Sequence, residues 1–374
     1  MKIAILIAGG VDRSGVKRVV PCLLWLIERL VREGDEVHVF VFRTEPYPGT
    51  WQLCGATVHN AGSRHSLRGM FLQVVAEHRR APFDIIHTTL SIWANLVGVL
   101  CGKILKIPSL VYFANTELVS IEDIRTTRSS LMGRIYLRLV VMGADRILAQ
   151  SEHIVRQARA LNIPATRVPF GVALDRWPPA SPRPRDSRAC AKLLHVGSII
   201  PIRDHDMLLD TATHLKASGV AFEIDAIGDD VLRNDAVRRR AEALGLSDQI
   251  RFHGFLPHHE MRPFFERADL LIVTSRHEAG PIVALEAAVA GVPVVGTNVG
   301  HLAEWAPLAA RVVEPRDSAG LARAIVDLLS DDDARIALAM RAQKLAIAEH
   351  ADITAREFRR VYTEMINIYH ARRR

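Results

Sequence analysis

Glu278 and Glu286 both fall within SRHEAGPIVALEAAVAGVPVVGTNVG, residues 275–300. The first lies in a polar loop. The second lies in a segment that reads as a helix opened by Pro281 and closed by Gly291-Val292-Pro293. Proline suits the first helical position, where its missing N–H costs nothing. At about 1.5 Å rise per residue, Glu286 then stands roughly 7–8 Å above the helix mouth. That mouth exposes unpaired backbone N–H groups and the positive end of the helix dipole. One carboxylate at the rim and one deeper, on either side of an anion-binding helix end, suit a ligand with a negative centre and hydroxyls on both flanks. A nucleotide diphosphate sugar is such a ligand. The plainer reading of the same residues is an α/β unit carrying two incidental glutamates, and the rarity of buried, unpaired glutamate counts against it.

Other residues offer chemistry. His195-Val196-Gly197-Ser198-Ile199-Ile200-Pro201-Ile202-Arg203 reads as a strand running into a loop that delivers one arginine, a fork of donors able to grip a diphosphate. Gly9-Gly10 and Gly15 bracket a loop before a helix, where glycine lets backbone approach a phosphate. Their spacing is not G-x-G-x-x-G, and a simple tight turn explains them equally well. Asp204-His205-Asp206 spells D-x-D, but it sits where a helix should start, so a capping role is the better expectation. Asp331-Asp332-Asp333 reads likewise as a helix start. His258-His259-Glu260 lacks ligand spacing and reads as a surface loop. No G-x-S-x-G elbow and no H-E-x-x-H occurs.

The elements that must position these residues alternate along the chain. Lys2–Ala8 is apolar enough for a buried parallel strand. A helix is expected over Val16–Glu33 with Gly34 as its stop, then a strand over Val37–Phe42. Short strands are expected at Ile85–His87, Leu110–Phe113 and Arg146–Ala149, the last followed by Ser151 as an N-cap. In WPPASPRPRDSRAC, residues 177–190, four prolines forbid regular structure and suggest an interdomain linker. Alternation resumes with strands at Leu193–Val196, Phe222–Ile227, Ile250–Phe252, Leu270–Thr274 and Pro293–Val295. A helix is expected from Met207, another over Leu321–His350 and a last one over Ala355–His370. The expected division is a domain at 1–176, a linker at 177–190, a second domain at 191–354 and a tail helix at 355–374 that returns to the first domain.

A chain of 374 residues suggests two cores rather than one. With 49% hydrophobic and 24% charged residues, it is an ordinary globular composition. Cys22, Cys54, Cys101 and Cys190 are widely spaced, which argues against a disulfide framework or zinc site and suits a reducing cytoplasm. No secretory signal is visible. The apolar run Ile92–Gly102 is too short to span a bilayer; its Ala94, Gly98 and Gly102 suggest a helix packed closely on a sheet. Net charge is +7 and uneven: residues 1–178 hold 22 Lys and Arg against 14 Asp and Glu, whereas 179–374 hold 26 against 27. The basic half suggests an anionic partner. Arg125, Arg128, Arg134 and Arg138 stand beside Leu131, Met132, Ile135, Tyr136 and Leu139, a pattern fit either to rest on anionic lipid or to be a solvated helix face. There is no helix-turn-helix, zinc finger or aromatic-basic signature, so nucleic acid is not an expected partner.

Taken together the motifs resemble the retaining glycosyltransferases of family 4, whose fold is GT-B, two Rossmann-like α/β domains facing each other across a cleft. The family's E-x7-E matches Glu278 and Glu286. Its tail G-x-P-V-V-x-T-x-x-G matches Gly291 to Gly300, with Glu304 beyond. The opening V-G-R/S-x-x-P-x-K-G resembles Val196 to Asp204, and a strand ending in G-D resembles Ile227-Gly228-Asp229. Ala144-Asp145-Arg146 with Ser151, then Val168-Pro169-Phe170-Gly171-Val172, resembles the end of the first domain.

The resemblance implies roles. Glu286 would bind the donor ribose hydroxyls and Glu278 the donor sugar. Backbone at Gly280, Pro281, Ile282 and Val283 would meet sugar hydroxyls or phosphate. Arg203, where the family usually has lysine, would neutralise the diphosphate, with Gly15, Gly197, Ser198 and Gly228 completing the donor loops. Glu278 and Arg203 would be the catalytic pair. Phe113-Ala114-Asn115-Thr116 falls where many members read V-H-N-T, so Ala114 replaces a histidine and Asn115 or Thr116 is left to face the sugar or acceptor. The implied reaction moves a sugar from a UDP- or GDP-linked donor to a glycan, lipid-linked or small-molecule acceptor with retention. The leaving phosphate acts as base, and no metal or other cofactor is expected. The implied location is cytoplasmic, with a peripheral contact to an anionic membrane as a further expectation. Two alternatives stand beside it: a catalytically impaired partner subunit, suggested by Ala114 and Ser198, and a nucleotide-sugar epimerase.

Overall fold

The computed structural model describes residues 1–42, 44–62, 66–186, 189–231 and 234–372. Ser187 and Arg188 of the expected linker, and the last two residues of the expected tail, lie outside them. The chain divides into two compact units, Met1–Gly171 with Ala351–Arg374, and Val172–His350.

The first unit is built on strands β1 (Lys2–Ile7), β2 (Glu36–Val41), β3 (Gly49–Leu53), β4 (Ala56–Asn60), β5 (Ile85–Thr89), β6 (Ser109–Phe113), β7 (Arg146–Ala149) and β8 (Thr166–Arg167). They lie in the order β3-β4-β2-β1-β5-β6-β7-β8. All pairings are parallel except β3 with β4, an antiparallel edge hairpin that the sequence reading did not anticipate. Its turn residues Cys54 and Gly55 both have positive φ, as a tight two-residue hairpin demands. The helices are α1 (Pro21–Arg32), α2 (Ser66–Arg80), α3 (Ile92–Leu105), α4 (Leu131–Gly143) and α5 (Glu152–Arg159). The expected helix over Val16–Glu33 begins only at Pro21. A proline ring would clash inside a helix, and Gly10 and Val11 bridge to Val19 instead. Ser151 caps α5 by accepting from the Ile154 N–H at 3.3 Å, as expected. α3 lies tight on the sheet: a Cβ on Gly98 would collide with the Thr88 side chain, and one on Gly102 would come within 2.9 Å of Ser109.

The second unit holds β9 (Ala191–Val196), β10 (Phe222–Ile227), β11 (Ile250–Gly254), β12 (Leu270–Val273), β13 (Val294–Thr297) and β14 (Arg311–Val313). All are parallel, in the order β11-β10-β9-β12-β13-β14. This is the doubly wound arrangement whose order reverses between the first and fourth strands, β9 and β12. Its helices are α6 (His205–Ala217), α7 (Ala236–Ala243), α8 (Arg262–Arg267), α9 (Ile282–Val289), α10 (Gly300–Trp305), α11 (Ser318–Ser330) and α12 (Asp332–Ala348). The single helix expected over Leu321–His350 is two, because Asp331 leaves the helical region and caps α12 through the Ala334 N–H at 2.9 Å. Leu193, Leu208, Ile224, Leu270, Leu321 and Ile325 fill one core between the sheet and its helices.

The boundary falls at Gly171, a few residues before the expected 176, and segment 172–186 belongs to the second unit. Trp177 is buried, Gln343 Nε2 donates to the Ala180 carbonyl at 2.6 Å, and Arg335 Nη2 donates to the Arg183 carbonyl at 2.7 Å. The tail helix, α13 (Ala351–Ala371), belongs to the first unit. Its Tyr362 hydroxyl meets His87 Nδ1 at 2.6 Å, its Arg359 Nε donates to Asp35 at 2.8 Å, and its Asp352 accepts from Arg29 Nε at 2.5 Å. Among the described residues no helix is long and apolar enough to cross a membrane.

Candidate functional site

In an open parallel sheet, ligands bind beyond the carboxyl ends of the strands where the order reverses. In the second unit that point lies between the loops after β9 and β12, and these carry Gly197 to Arg203 and Thr274 to Pro281. The two loops are stitched together. The Thr274 hydroxyl donates to the Arg203 carbonyl at 2.8 Å and the Arg276 N–H donates to the Ile202 carbonyl at 2.8 Å. The Arg203 guanidinium forms an ion pair with Glu278, whose Oε1 also accepts from the Ser275 hydroxyl at 2.8 Å. Burial pulls the Arg203 pKa down to about 10, which leaves it a cation at neutral pH.

Gly197, Ser198 and Gly228 form the floor beside this pair. The Gly197 N–H bonds the Ile227 carbonyl at 2.8 Å, and the Ile199 N–H bonds the Asp229 carbonyl at 2.8 Å. Gly228 packs so closely that a Cβ there would collide with the Gly197 carbonyl. The His205 ring hydrogen-bonds the Gly197 backbone, and burial first, with the Arg203 charge second, lowers its pKa to about 4. His195 lies against it with ring centroids 4.8 Å apart.

α9 opens at Ile282, and Pro281, with ψ 110°, is its N-cap, one residue earlier than the sequence reading placed it. Its ring follows the extended geometry of the loop instead of entering the first turn. Gly280 and Pro281 are buried against Gly300, where φ is +49° and a Cβ would come within 2.9 Å of the Pro281 ring. Glu286, buried inside α9, has its Oε1 2.6 Å from His258 Nε2. Trp177 donates its indole N–H to the Glu286 carbonyl at 2.9 Å and packs its ring, tilted by 40°, against His258, centroids 4.9 Å apart.

The structure therefore brings Gly197, Ser198, Arg203, Gly228, Glu278, Gly280, Pro281, Ile282, Val283 and Glu286 to the carboxyl edge of one sheet. Gly15, Asn115 and Thr116 lie in the first unit. Gly15 has φ +66° and its N–H bonds the Asp12 carbonyl at 2.9 Å, closing a turn after β1. Asn115 and Thr116 follow β6, and the Asn115 N–H donates to Glu117 at 2.9 Å. Glu117 is buried and desolvation raises its pKa to about 7, against which the N–H bonds of Glu117 and Asn115 pull it down. Of the acid pairs, Asp204 spends its Oδ1 on the Met207 N–H at 3.1 Å and Asp206 pairs with Arg240, so the D-x-D stretch is a helix cap, as expected.

His258 corrects the expectation of a surface loop, since half its ring is spent on Glu286 and Trp177. Trp177, Ser275 and His205 also escaped the sequence reading. The only sequence signal for His258 is a polar residue four positions before α8 begins at Arg262, and nothing distinguishes it from His259. Three further groups, His38, His59 and Glu77, bring ligand atoms within 4.8 Å of one another in the first unit. Lys2 Nζ sits 2.9 Å from Glu77 and 3.2 Å from Glu36, so that cluster already holds a cation.

Two doubly wound α/β units, one with an Arg–Glu pair at its switch point, define the architecture of a GT-B glycosyltransferase. Residues 188–345 match the family described as glycosyl transferases group 1, and residues 19–171 match the glycosyl transferase 4-like domain. The chain belongs to glycosyltransferase family 4. It is similar to the D-inositol 3-phosphate glycosyltransferase of Thermobispora bispora, at 27% identity over 91% of this chain and 88% of that protein. It is 32% identical to a glycogen synthase of Mycobacterium tuberculosis over 54% of this chain and 48% of that one. Among solved structures, sucrose-phosphate synthase from Thermosynechococcus elongatus superposes with a TM-score of 0.83 at 19% identity, covering 98% of this chain and 100% of that one. Anabaena HepE in complex with UDP-glucose superposes with a TM-score of 0.76 at 18% identity, covering 97% and 100%.

Proposed function

We propose that this glycosyltransferase is a retaining, metal-independent enzyme that takes its sugar from a UDP- or GDP-linked donor. The observation that carries the reading is the Arg203–Glu278 pair beside the mouth of α9, with Glu286 held by His258 one turn further in. Breaking a sugar–phosphate bond builds positive charge on the sugar and leaves a dianionic diphosphate. Fixed positive groups aimed at that leaving group lower the barrier. Arg203 and the N-terminal N–H groups of α9 supply such a field without a metal. Glu286 offers the oxygen that His258 does not occupy to a ribose diol, and Glu278 meets the donor sugar. Retention follows if the departing phosphate takes the acceptor proton on the same face. Anabaena HepE, solved with UDP-glucose, supports a nucleotide-sugar donor.

The acceptor loops are assigned to the first unit, after β1 and β6, with Asn115 and Thr116 facing the sugar or acceptor. A glycan, lipid-linked or small-molecule acceptor, used in the cytoplasm, fits this division. The test is calorimetric titration of UDP, GDP and ADP sugars into the full chain and into Glu286→Ala. One nucleotide should bind the native chain and lose its affinity in the variant. Undiminished affinity in Glu286→Ala removes the donor-site assignment. Turnover undisturbed by EDTA and an unchanged anomeric configuration in the product's NMR spectrum test the other two claims.

A further inference from the structure

Helix α4 is apolar on two faces. Leu137 and Val140 point into the first unit's core, as helices on a sheet require. On the other side Leu131, Ile135, Leu139 and Met142, at i, i+4, i+8 and i+11, form one stripe and are 42–73% exposed. Helix α3 lies alongside: Val99 packs against Gly143, and the Trp93 and Tyr136 rings meet at 4.8 Å. It adds exposed Trp93, Leu100 and Ile104 to the same surface. An exposed apolar patch shared by two helices is not what a free surface ordinarily shows.

The charge on α4 itself has one sign, and Asp145 just beyond it is taken up by Lys103 Nζ at 3.2 Å. From Ile124 to Ala144 the chain carries four arginines and no acid. Arg134 and Arg138 lie next to the stripe, one and two turns along α4, and both are exposed. Among the described residues neither has a carboxylate partner; Arg134 Nε donates only to the Arg128 carbonyl, at 3.1 Å. Long apolar side chains flanked by arginines on one face match the boundary between lipid headgroups and acyl chains. A second copy of the same cationic face would meet like charge, so charge complementarity selects an anionic surface over self-association.

We propose that the α3–α4 face of the first unit docks on an anionic lipid bilayer, Leu131, Ile135, Leu139 and Met142 entering the headgroup layer and Arg134 and Arg138 pairing with lipid phosphates. The face is tied to the loop after β6. Arg128 Nη1 donates to the Leu118 carbonyl at 3.1 Å, and Thr126 Oγ1 donates to the Val119 carbonyl at 2.7 Å. Docking therefore sets the bilayer beside Asn115 and Thr116, the loop assigned to the acceptor.

The docking claim does not rest on the transferase reading, and its readout is binding alone. The full chain is floated with vesicles of phosphatidylcholine, or of phosphatidylcholine with phosphatidylglycerol, at low salt and at about 1 M, where the screening length falls to about 3 Å. Binding to the anionic vesicles at low salt and release at high salt are expected. Arg134→Glu with Arg138→Glu should cut partitioning at least about 25-fold, from roughly fivefold per arginine near a charged surface. Leu131→Ser with Leu139→Ser should weaken binding while keeping its salt dependence. All four positions are exposed, and circular dichroism checks that each variant folds. Absence of native binding to anionic vesicles, equal binding by the variants, or a dimer in light scattering that the serine pair disperses would each overturn the proposal.

Discussion

His258 Nε2 lies 2.6 Å from Glu286 Oε1, and this bond orients the carboxylate assigned to the donor ribose. A buried glutamate left without such a partner costs about 1–3 kcal/mol. His258→Ala should therefore weaken nucleotide binding by roughly 5–150-fold at pH 7. His258→Gln, which can still donate to Glu286, should recover part of it. Calorimetry with the preferred nucleotide decides the matter, and equal dissociation constants for all three chains would separate His258 from the site.

Arg203 and Glu278 constrain one another, so removing either leaves a charge without its partner. Arg203→Ala should lower kcat by about 10²–10³, the usual cost of deleting one preorganised group that stabilises developing negative charge. Arg203→Lys keeps the charge but not the fork, and should fall between. Steady-state rates of donor consumption measure this. A kcat within twofold of native for Arg203→Ala would leave the leaving group without its proposed cation.

Gly228 is a packing constraint as well as a site residue. Alanine there drives a methyl into the Gly197 carbonyl, so one of the two donor loops must move. Overpacking of this kind costs about 1–3 kcal/mol. Gly228→Ala should lower the thermal midpoint and weaken nucleotide binding together, read by differential scanning calorimetry with and without nucleotide. Gly219→Ala is the control: its backbone is also at positive φ, but open space surrounds it, so any loss there reflects conformation alone.

Glu117 makes stability depend on pH in a defined direction. Its pKa rises from an ordinary 4.5 to about 7 on folding, chiefly through burial. The folded chain thus keeps a proton that the unfolded chain releases above about pH 4.5. Stability is full below that pH and is lost as pH rises through about 7. Glu117→Gln removes the cost, since its amide oxygen can still accept from the Asn115 N–H. The variant should gain up to about 3 kcal/mol over native at pH 8 and little at pH 4.5. Denaturant melts at the two pH values test the sign, and a gain equal at both would assign the effect to something other than ionisation.

Much of this molecule was legible in its residues because local rules and tertiary structure agree there. The Val-Val-Gly-Thr strand behind Gly291-Val292-Pro293, the cap at Asp204 and the strand Phe222–Ile227 follow from turn chemistry and buried-strand patterning. Pro21 marks the true start of α1, five residues after the Val16 at which the helix was expected to open. The β3–β4 hairpin was missed because its turn is Cys-Gly rather than Asn-Gly or Asp-Gly, although Thr50–Leu53 and Ala56–His59 each alternate polar and apolar residues. Motif spacing located Glu278 and Glu286 but not the groups that hold them. His258 and Trp177 reach Glu286 from segments 28 and 109 residues away, and such long-range bonds leave no periodic trace.

The tail helix carries a kinetic implication. Phe358 and Tyr362 cover His87, and Thr354 donates to the Pro169 carbonyl at 2.9 Å. These residues leave the ribosome only after the whole of Val172–His350 has been made. The first unit to emerge is thus the last to be sealed: its sheet waits, with His87 and Tyr112 uncovered, through the synthesis of its neighbour. A nascent chain stalled near residue 350 should carry that exposed aromatic surface and be the form most open to chaperones and proteases.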